Sequence, residues 1–192
     1  MSDRNNAPTK EEAARVEKLL GRPAKLPYGI ATRCGDGTPQ VLQTDPVYRE
    51  DGRWKPFPTF LWLVCPRLRY EVAKLEAAQE IQMFSRRLAD DVSFRNTFVE
   101  GQERLQRQRL GMAEQVAGRP LPEDVQSVLT STNIVGSRNL LGVKCLHAHV
   151  AQALSFGANP IGDDILARLG RCGKNANCGQ TAVSTKHGKA NS

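Results

Sequence analysis

The sequence predicts an α+β domain in which a small antiparallel β meander precedes a mainly helical layer with a long helix hairpin. Three observations predict it. Short β-prone runs separated by Gly- and Asp-containing turns crowd the stretch from Tyr28 to Val64. Apolar residues then recur at helical steps from Leu68 to Val116. Proline and glycine punctuate that second half, with Pro66 placed to open a helix and Gly118 and Gly157 placed to close two others.

The 192 residues are 40% apolar, enough for the core of one domain. The flanks differ. Residues 1–8 are polar, and the tail from Gly173 to Ser192 has no Leu, Ile, Phe, Tyr or Trp. Neither can bury enough to offset chain entropy. The expected organisation is a disordered start at 1–8, one domain over 9–171 and a disordered basic tail over 172–192.

Thr9-Lys10-Glu11-Glu12 has the form of a capping box and opens the first helix, which Gly21 and Pro23 end. Tyr28–Cys34 and Gln40–Thr44 read as strands around the turn Gly35-Asp36-Gly37, and Asp51-Gly52 reads as a second turn. Thr59–Val64 is apolar on both faces and reads as the central strand, with Pro56-Phe57-Pro58 outside the ladder. From Pro66, the residues Leu68, Val72, Leu75, Ile81, Phe84 and Leu88 form one buried stripe of a single long helix. A second long helix starts near Asp90 or Asp91, and the two are expected to form an antiparallel hairpin on the sheet. Short helices follow at Leu121–Leu129, at Val143–Phe156 and from Gly162 to Leu169.

Composition excludes several classes. No apolar stretch is long enough to span a bilayer, and the start of the chain lacks a targeting signal. Five widely spaced cysteines argue for reduced thiols in the cytosol and against a disulfide framework. A soluble, cytoplasmic protein with no membrane partner is expected. The net charge of +7 is diffuse, densest at Arg86-Arg87 and at Arg104, Arg107 and Arg109 on the outer face of the second long helix. That face is expected to be exposed. It supports an alternative reading as a basic module binding RNA or a partner protein. No P-loop is present, and with 6% aromatic residues a base-stacking surface is poorly supported.

Three cysteines carry the chemistry. Cys34 precedes a Gly-Asp-Gly turn, Cys65 precedes Pro66, and Cys145 sits in Lys144-Cys145-Leu146-His147-Ala148-His149. Thiols at turns and helix starts lean toward thiolate, the form that binds metal or attacks a substrate. Helical spacing leaves two geometries open. If the helix starts at Val143, Cys145, His149 and Gln152 share a side, with His147 on the flank. If Cys145 lies in the turn before the helix, Cys145 and His147 converge instead.

These motifs resemble the bacterial domain-of-unknown-function family numbered five hundred and one. The matching pieces are Leu20-Gly21-Arg22-Pro23, Arg33-Cys34 with Gly37 and Pro39, Phe57-Pro58-Thr59, Cys65-Pro66, Val143 to His149, and Gly157 to Asp163. The resemblance implies a bacterial cytosolic protein in which Cys34, Cys65, Cys145 and His147 are motif residues. It brings no assigned reaction. This chain departs from the family twice: it lacks a second cysteine near Gly35 to Gly37, and it has Gln152 where relatives often carry histidine.

The reading that follows is a zinc site built from Cys34, Cys65, Cys145 and one histidine, His147 or His149, with the three sulfurs expected to converge. A second reading is a thiol-dependent enzyme with Cys145 or Cys65 as nucleophile, His147 or His149 as base, and Asp163 or Asp164 orienting the imidazole. The plain alternative is that the cysteines are small buried residues and that Asp163 and Asp164 serve a helix start. Cys172 and Cys178 lie in the tail and read as a thiol pair without a role.

Overall fold

The computed structural model of the protein describes residues 7–24 and 27–170. The expectations for the start of the chain and for the tail, including Cys172 and Cys178, lie outside the described residues. Within them the α+β class holds: five short strands are followed by a helical layer.

Helix α1 (Lys10–Leu20) opens on the expected capping box. Thr9 Oγ1 accepts the Glu12 amide and Glu12 Oε2 accepts the Thr9 amide. The second Glu12 oxygen accepts from Arg33 Nε at 2.7 Å, which ties α1 to the first strand. The strands are β1 (Tyr28–Arg33), β2 (Pro39–Thr44), β3 (Val47–Glu50), β4 (Arg53–Pro56) and β5 (Leu61–Leu63). They form two sheets rather than one meander: a three-stranded antiparallel sheet in the order β1-β2-β5, and a β3-β4 hairpin inserted between β2 and β5. The turn at Asp51 and Gly52 has positive φ at both residues, the pattern that suits the twist of a two-residue hairpin.

Two expectations need correction here. The central strand is β2, and the apolar run Thr59–Val64 supplies the short edge strand β5. Its apolar character comes from burial under helices, not from a central place in the ladder. Pro56 lies inside a ladder, opposite Val47 at the end of β4, where a two-stranded sheet has only edges and tolerates the missing N–H.

Alternation along the strands gives the larger sheet two apolar faces. Ile30 and Leu42 pack with Val16 under α1. Val41, Leu61 and Leu63 face the main core together with the later helices. Trp62 sits opposite Leu42 in register, on the α1 side, and is 40% exposed because α1 does not reach it.

The single long helix expected from Pro66 is two: α2 (Pro66–Ala77) and α3 (Glu80–Asp90). They break at Gln79, which takes a left-handed conformation with φ 62°. Neither Ala78 nor Gln79 is a helix breaker, so the local sequence gave no sign of it. The break still lets Leu68, Val72, Phe84 and Leu88 all reach the core. Helix α4 (Val92–Ala117) starts at Asp91, whose side chain accepts the Phe94 amide, and Gly118 ends it with φ 66°. It packs beside α3, as the hairpin reading expected. The helix laid against the sheet is a different one, α6 (Leu146–Phe156), with α5 (Glu123–Ser131) and α7 (Pro160–Leu169) flanking the bundle. Two arginines at the start of α2 close other helices: Arg69 donates to the Leu19 carbonyl at the end of α1, and Arg67 to the Leu169 and Gly170 carbonyls at the end of α7.

The basic face of α4 is only partly as expected. Arg104 and Arg107 are exposed, but Arg109 is fully buried. Its guanidinium donates to the carbonyls of Leu129, Thr132, Asn133 and Pro58 and to Thr132 Oγ1. Those carbonyls include the last turn of α5, whose partial negative charge suits a cation. Burial pulls Arg109 down to about 10, so it stays charged at neutral pH. The expectation of an exposed Arg104, Arg107 and Arg109 face therefore fails at Arg109, because α5 folds back over it.

Arg109→Ala should lower unfolding free energy by roughly 3 kcal/mol or more, since it strands several buried carbonyls. Arg104→Gln and Arg107→Gln should each change it by less than about 0.5 kcal/mol. Urea titration of the three variants measures this. Gly101→Ala should also be severely destabilising, because a Cβ there collides with the Ala158 carbonyl oxygen.

Candidate functional site

Cys145 lies outside α6, as its N-cap, in an extended conformation, and makes no side-chain capping bond. The helix start is instead answered by a carboxylate from another helix. Glu76, in the last turn of α2, accepts the Leu146 amide on Oε1 at 2.7 Å. The same oxygen lies 3.1 Å from His147 Nδ1. On the other side of the ring, His147 Nε2 lies 3.2 Å from the Arg69 carbonyl oxygen. Of the two geometries left open by the sequence, this is the one in which Cys145 and His147 converge.

Glu76, Cys145 and His147 are all half-buried, and one ligand atom from each lies within 4.8 Å of the others. This is the one such group among the described residues. The His147 imidazole is held up at about 9. Hydrogen bonding to Cys145 raises it most, burial opposes, and the hydrogen bond and charge of Glu76 add to the rise. With acceptors at both ring nitrogens, His147 is an imidazolium at neutral pH.

The other candidate ligands lie elsewhere. Cys34 is half-buried, and its thiol donates to Asp36 Oδ1 at 2.5 Å, an oxygen that also accepts the Thr38 amide. Burial, and then the bond to Asp36, push the Cys34 thiol up, while the bonds from Cys34 and Thr38 hold Asp36 at about 2. Cys34 is thus a protonated donor that closes a turn, contrary to the thiolate expected there. Cys65 is the N-cap of α2, 1% exposed, and packs in the main core as a small apolar residue. Neither belongs to a metal-capable group among the described residues, so the three sulfurs do not meet at one such centre.

His149 points the opposite way from His147, into the protein. It is fully buried beside the Phe98 ring, with centroids 5.6 Å apart. Asn159 Nδ2 donates to its Nδ1, which places the ring proton on Nε2, a buried atom without a hydrogen-bond partner among the described residues. Burial pulls His149 down to about 4, so it is neutral at pH 7. Asn159 also donates to Gln152 Oε1 and accepts the Gly162 amide, Gln102 donates to Gln152, and Gln102 Oε1 accepts the Ile134 amide. Gln152 therefore belongs to the inner network around His149. A histidine there would not join the Glu76 group.

Asn159 is a helix cap, and Asp164 pairs with Arg87 and Arg168, so that loop serves the start of α7. Sequence reasoning missed Glu76. It stands 69 to 71 residues before Cys145 and His147 in an ordinary helical surface pattern, and no local signal marks it.

Fold and site together define a small α+β domain with a half-buried Glu–Cys–His group at a helix junction. A family model described as protein of unknown function (DUF501) matches residues 30–167, and the chain belongs to that family. The match takes in Cys34, Cys65, Cys145 and His147. No curated protein and no solved structure matched the chain. No described helix is long and apolar enough to cross a membrane.

The two histidines should oppose each other in pH-dependence. His147 binds its proton more tightly in the folded protein than in the unfolded chain. Its contribution to stability is complete below about pH 6.5 and is lost as pH rises through about 9. His149 binds its proton more weakly when folded, so stability falls as pH drops from about 6.5 toward 4. Thermal melts across this range should show His147→Gln losing most relative to wild type below pH 6.5, with the gap closing toward pH 9. A gap independent of pH would contradict the placement of the His147 proton.

Proposed function

We propose that the chain is a metal-binding protein whose site is Glu76, Cys145 and His147, with zinc the metal that the donor set suits. One observation carries the reading: a sulfur, an imidazole nitrogen and a carboxylate oxygen within 4.8 Å of one another at a half-buried helix junction. Zinc accepts all three ligand types and prefers four ligands in tetrahedral array. Three protein ligands leave one position for water or substrate, as in sites that act on substrates rather than purely structural ones. Cys145 supplies the sulfur from the N-cap position of α6. Glu76 can keep the Leu146 amide on one oxygen and turn the other to a cation. His147 has to give up a proton, so metal and proton compete there.

A thiol-dependent enzyme is the second reading, and a specific observation favours it. His147 stands as an imidazolium beside Cys145, with Glu76 behind the ring. A thiol, an imidazole beside it and a carboxylate that fixes the ring are the three parts of a nucleophile with its base and orienting group. A basic module for RNA or a partner protein has weaker support, since it keeps Arg104 and Arg107 but loses Arg109 to the core.

Metal analysis of the purified protein separates the first two. The expected result is about one zinc per chain in wild type and in Cys65→Ser, and almost none in Cys145→Ser or His147→Ala. Zinc affinity should rise with pH up to about 9, as the proton leaves His147. A metal-free wild type that takes up no added zinc would overturn the metal reading. Selective alkylation of Cys145 over Cys65 in that metal-free protein would then favour the thiol reading.

A further inference from the structure

The α1 side of the larger sheet is only partly covered. Helix α1 shields Ile30 and the near side of Leu42, and beyond its C-terminal turn a cavity of about 570 Å³ opens on the same face. Its floor is Leu42 and Thr44, both buried. Its walls are aromatic: Tyr28, Tyr48, Phe57 and Trp62. Phe57 and Trp62 lie nearly parallel, at 14° with centroids 6.4 Å apart, and Tyr48 meets Phe57 edge-on. Four aromatic side chains gathered at one place stand out in a chain with so few of them. Trp62 alone accounts for a large apolar surface left in contact with water.

The rim carries charges of both signs. Arg22, just past the end of α1, and Glu50, at the end of β3, are both exposed lining residues. Arg22 spends one nitrogen on the neighbouring Pro23 carbonyl, and neither residue forms an ion pair among the described residues. The guanidinium has donors to spare in a fork that matches phosphate or carboxylate. The Glu50 carboxylate only accepts, so it matches amino or hydroxyl donors and repels a second anion. A volume of this size is within the range of small-molecule sites, which are mostly apolar with a few polar groups at the edge.

From this lining we infer that the cavity binds a small planar aromatic molecule with an anionic group at one end and amino or hydroxyl donors elsewhere, the chemistry of a nucleoside monophosphate with an amino-bearing base. The base lies against the aromatic wall, the phosphate meets Arg22, and Glu50 accepts from donor groups of the ligand. An aromatic carboxylate without donors satisfies the wall and Arg22 but faces Glu50 unfavourably. The site lies across the sheet from α6, so it is independent of the Glu76 group and of any metal there.

Isothermal titration calorimetry of the full chain tests it, with adenosine monophosphate, adenosine, indole-3-acetate and inorganic phosphate as probes. Saturable binding of adenosine monophosphate is expected, with adenosine weaker by about tenfold because it lacks the charge-assisted contact to Arg22. Arg22→Gln should bring the monophosphate to the level of adenosine. Trp62→Ala should weaken both, and Glu50→Gln should weaken both while strengthening indole-3-acetate. All three positions are exposed, so circular dichroism should show each variant folded. No heat with adenosine monophosphate up to about 5 mM would overturn the proposal, since that excludes even weak affinity. So would binding unchanged by both Arg22→Gln and Trp62→Ala. Preference for indole-3-acetate over the monophosphate would overturn the assigned ligand class, and equal binding of phosphate alone would show an anion site without a ring site.

Discussion

Helix α6 has no exposed residue, and most of the structure answers that one constraint. A helix enclosed on all sides brings polar side chains and a helix start into places where water cannot satisfy them. His149 and Gln152 are answered by Asn159, Gln102 and the Gly101 carbonyl, in a chain of hydrogen bonds that leaves one histidine nitrogen without a partner among the described residues. The network needs α4 and α7 very close to α6. Gly101 and Gly162 permit this, since a Cβ at either would run into backbone of Ala158 or His149. Fixing α6 this tightly also fixes its N-terminus against α2. Because Cys145 cannot cap it, Glu76 does, and that carboxylate is what draws His147 and Cys145 into one group.

The same logic explains Arg109. A buried cation is costly unless its donors are used. Here the partners include backbone carbonyls at the end of α5, in the segment after it and at Pro58, with the Thr132 hydroxyl beside them. The guanidinium therefore acts as the cap of a helix that has no glycine cap of its own, and it holds that connecting segment in place. Asn133, also fully buried, organises the next turn with its side chain bonded to Val135, Ser137, Asn139 and Gly142. Interior polar groups thus shape the loop that delivers the chain to Cys145.

What the sequence made legible was local. Thr9, Gly21, Gly118 and Gly157 mark helix ends by their own chemistry, and Asp91 settles a start that the sequence left between Asp90 and Asp91. The α+β order followed from the change of apolar period near Pro66. Cys145 and His147 stood out because they are two residues apart in one motif. The rest depended on contacts distant in sequence. Glu76 meets Leu146 across 70 positions, and nothing near Glu76 announces that helix. Arg109 looked like its neighbours Arg104 and Arg107 because only the return of α5 separates buried from exposed. The break at Gln79 has no breaker residue to announce it. Cys34 and Cys65 were grouped with Cys145 on the shared feature of sitting at element boundaries, which constrains backbone position and not where a sulfur points.

Arg69 and Arg67, two residues apart, finish the first and the last described helices, the second across 103 positions. This gives the domain an order of assembly during translation. The sheet, α1 and α2 can come together while the ribosome is still making α4. The apolar face carrying Val41, Leu61 and Leu63 then has to wait for α6, the helix laid against it. Closing that face depends on contacts of high sequence separation, which form slowly. The face that the earliest strands build is thus covered by one of the last parts of the domain to be made.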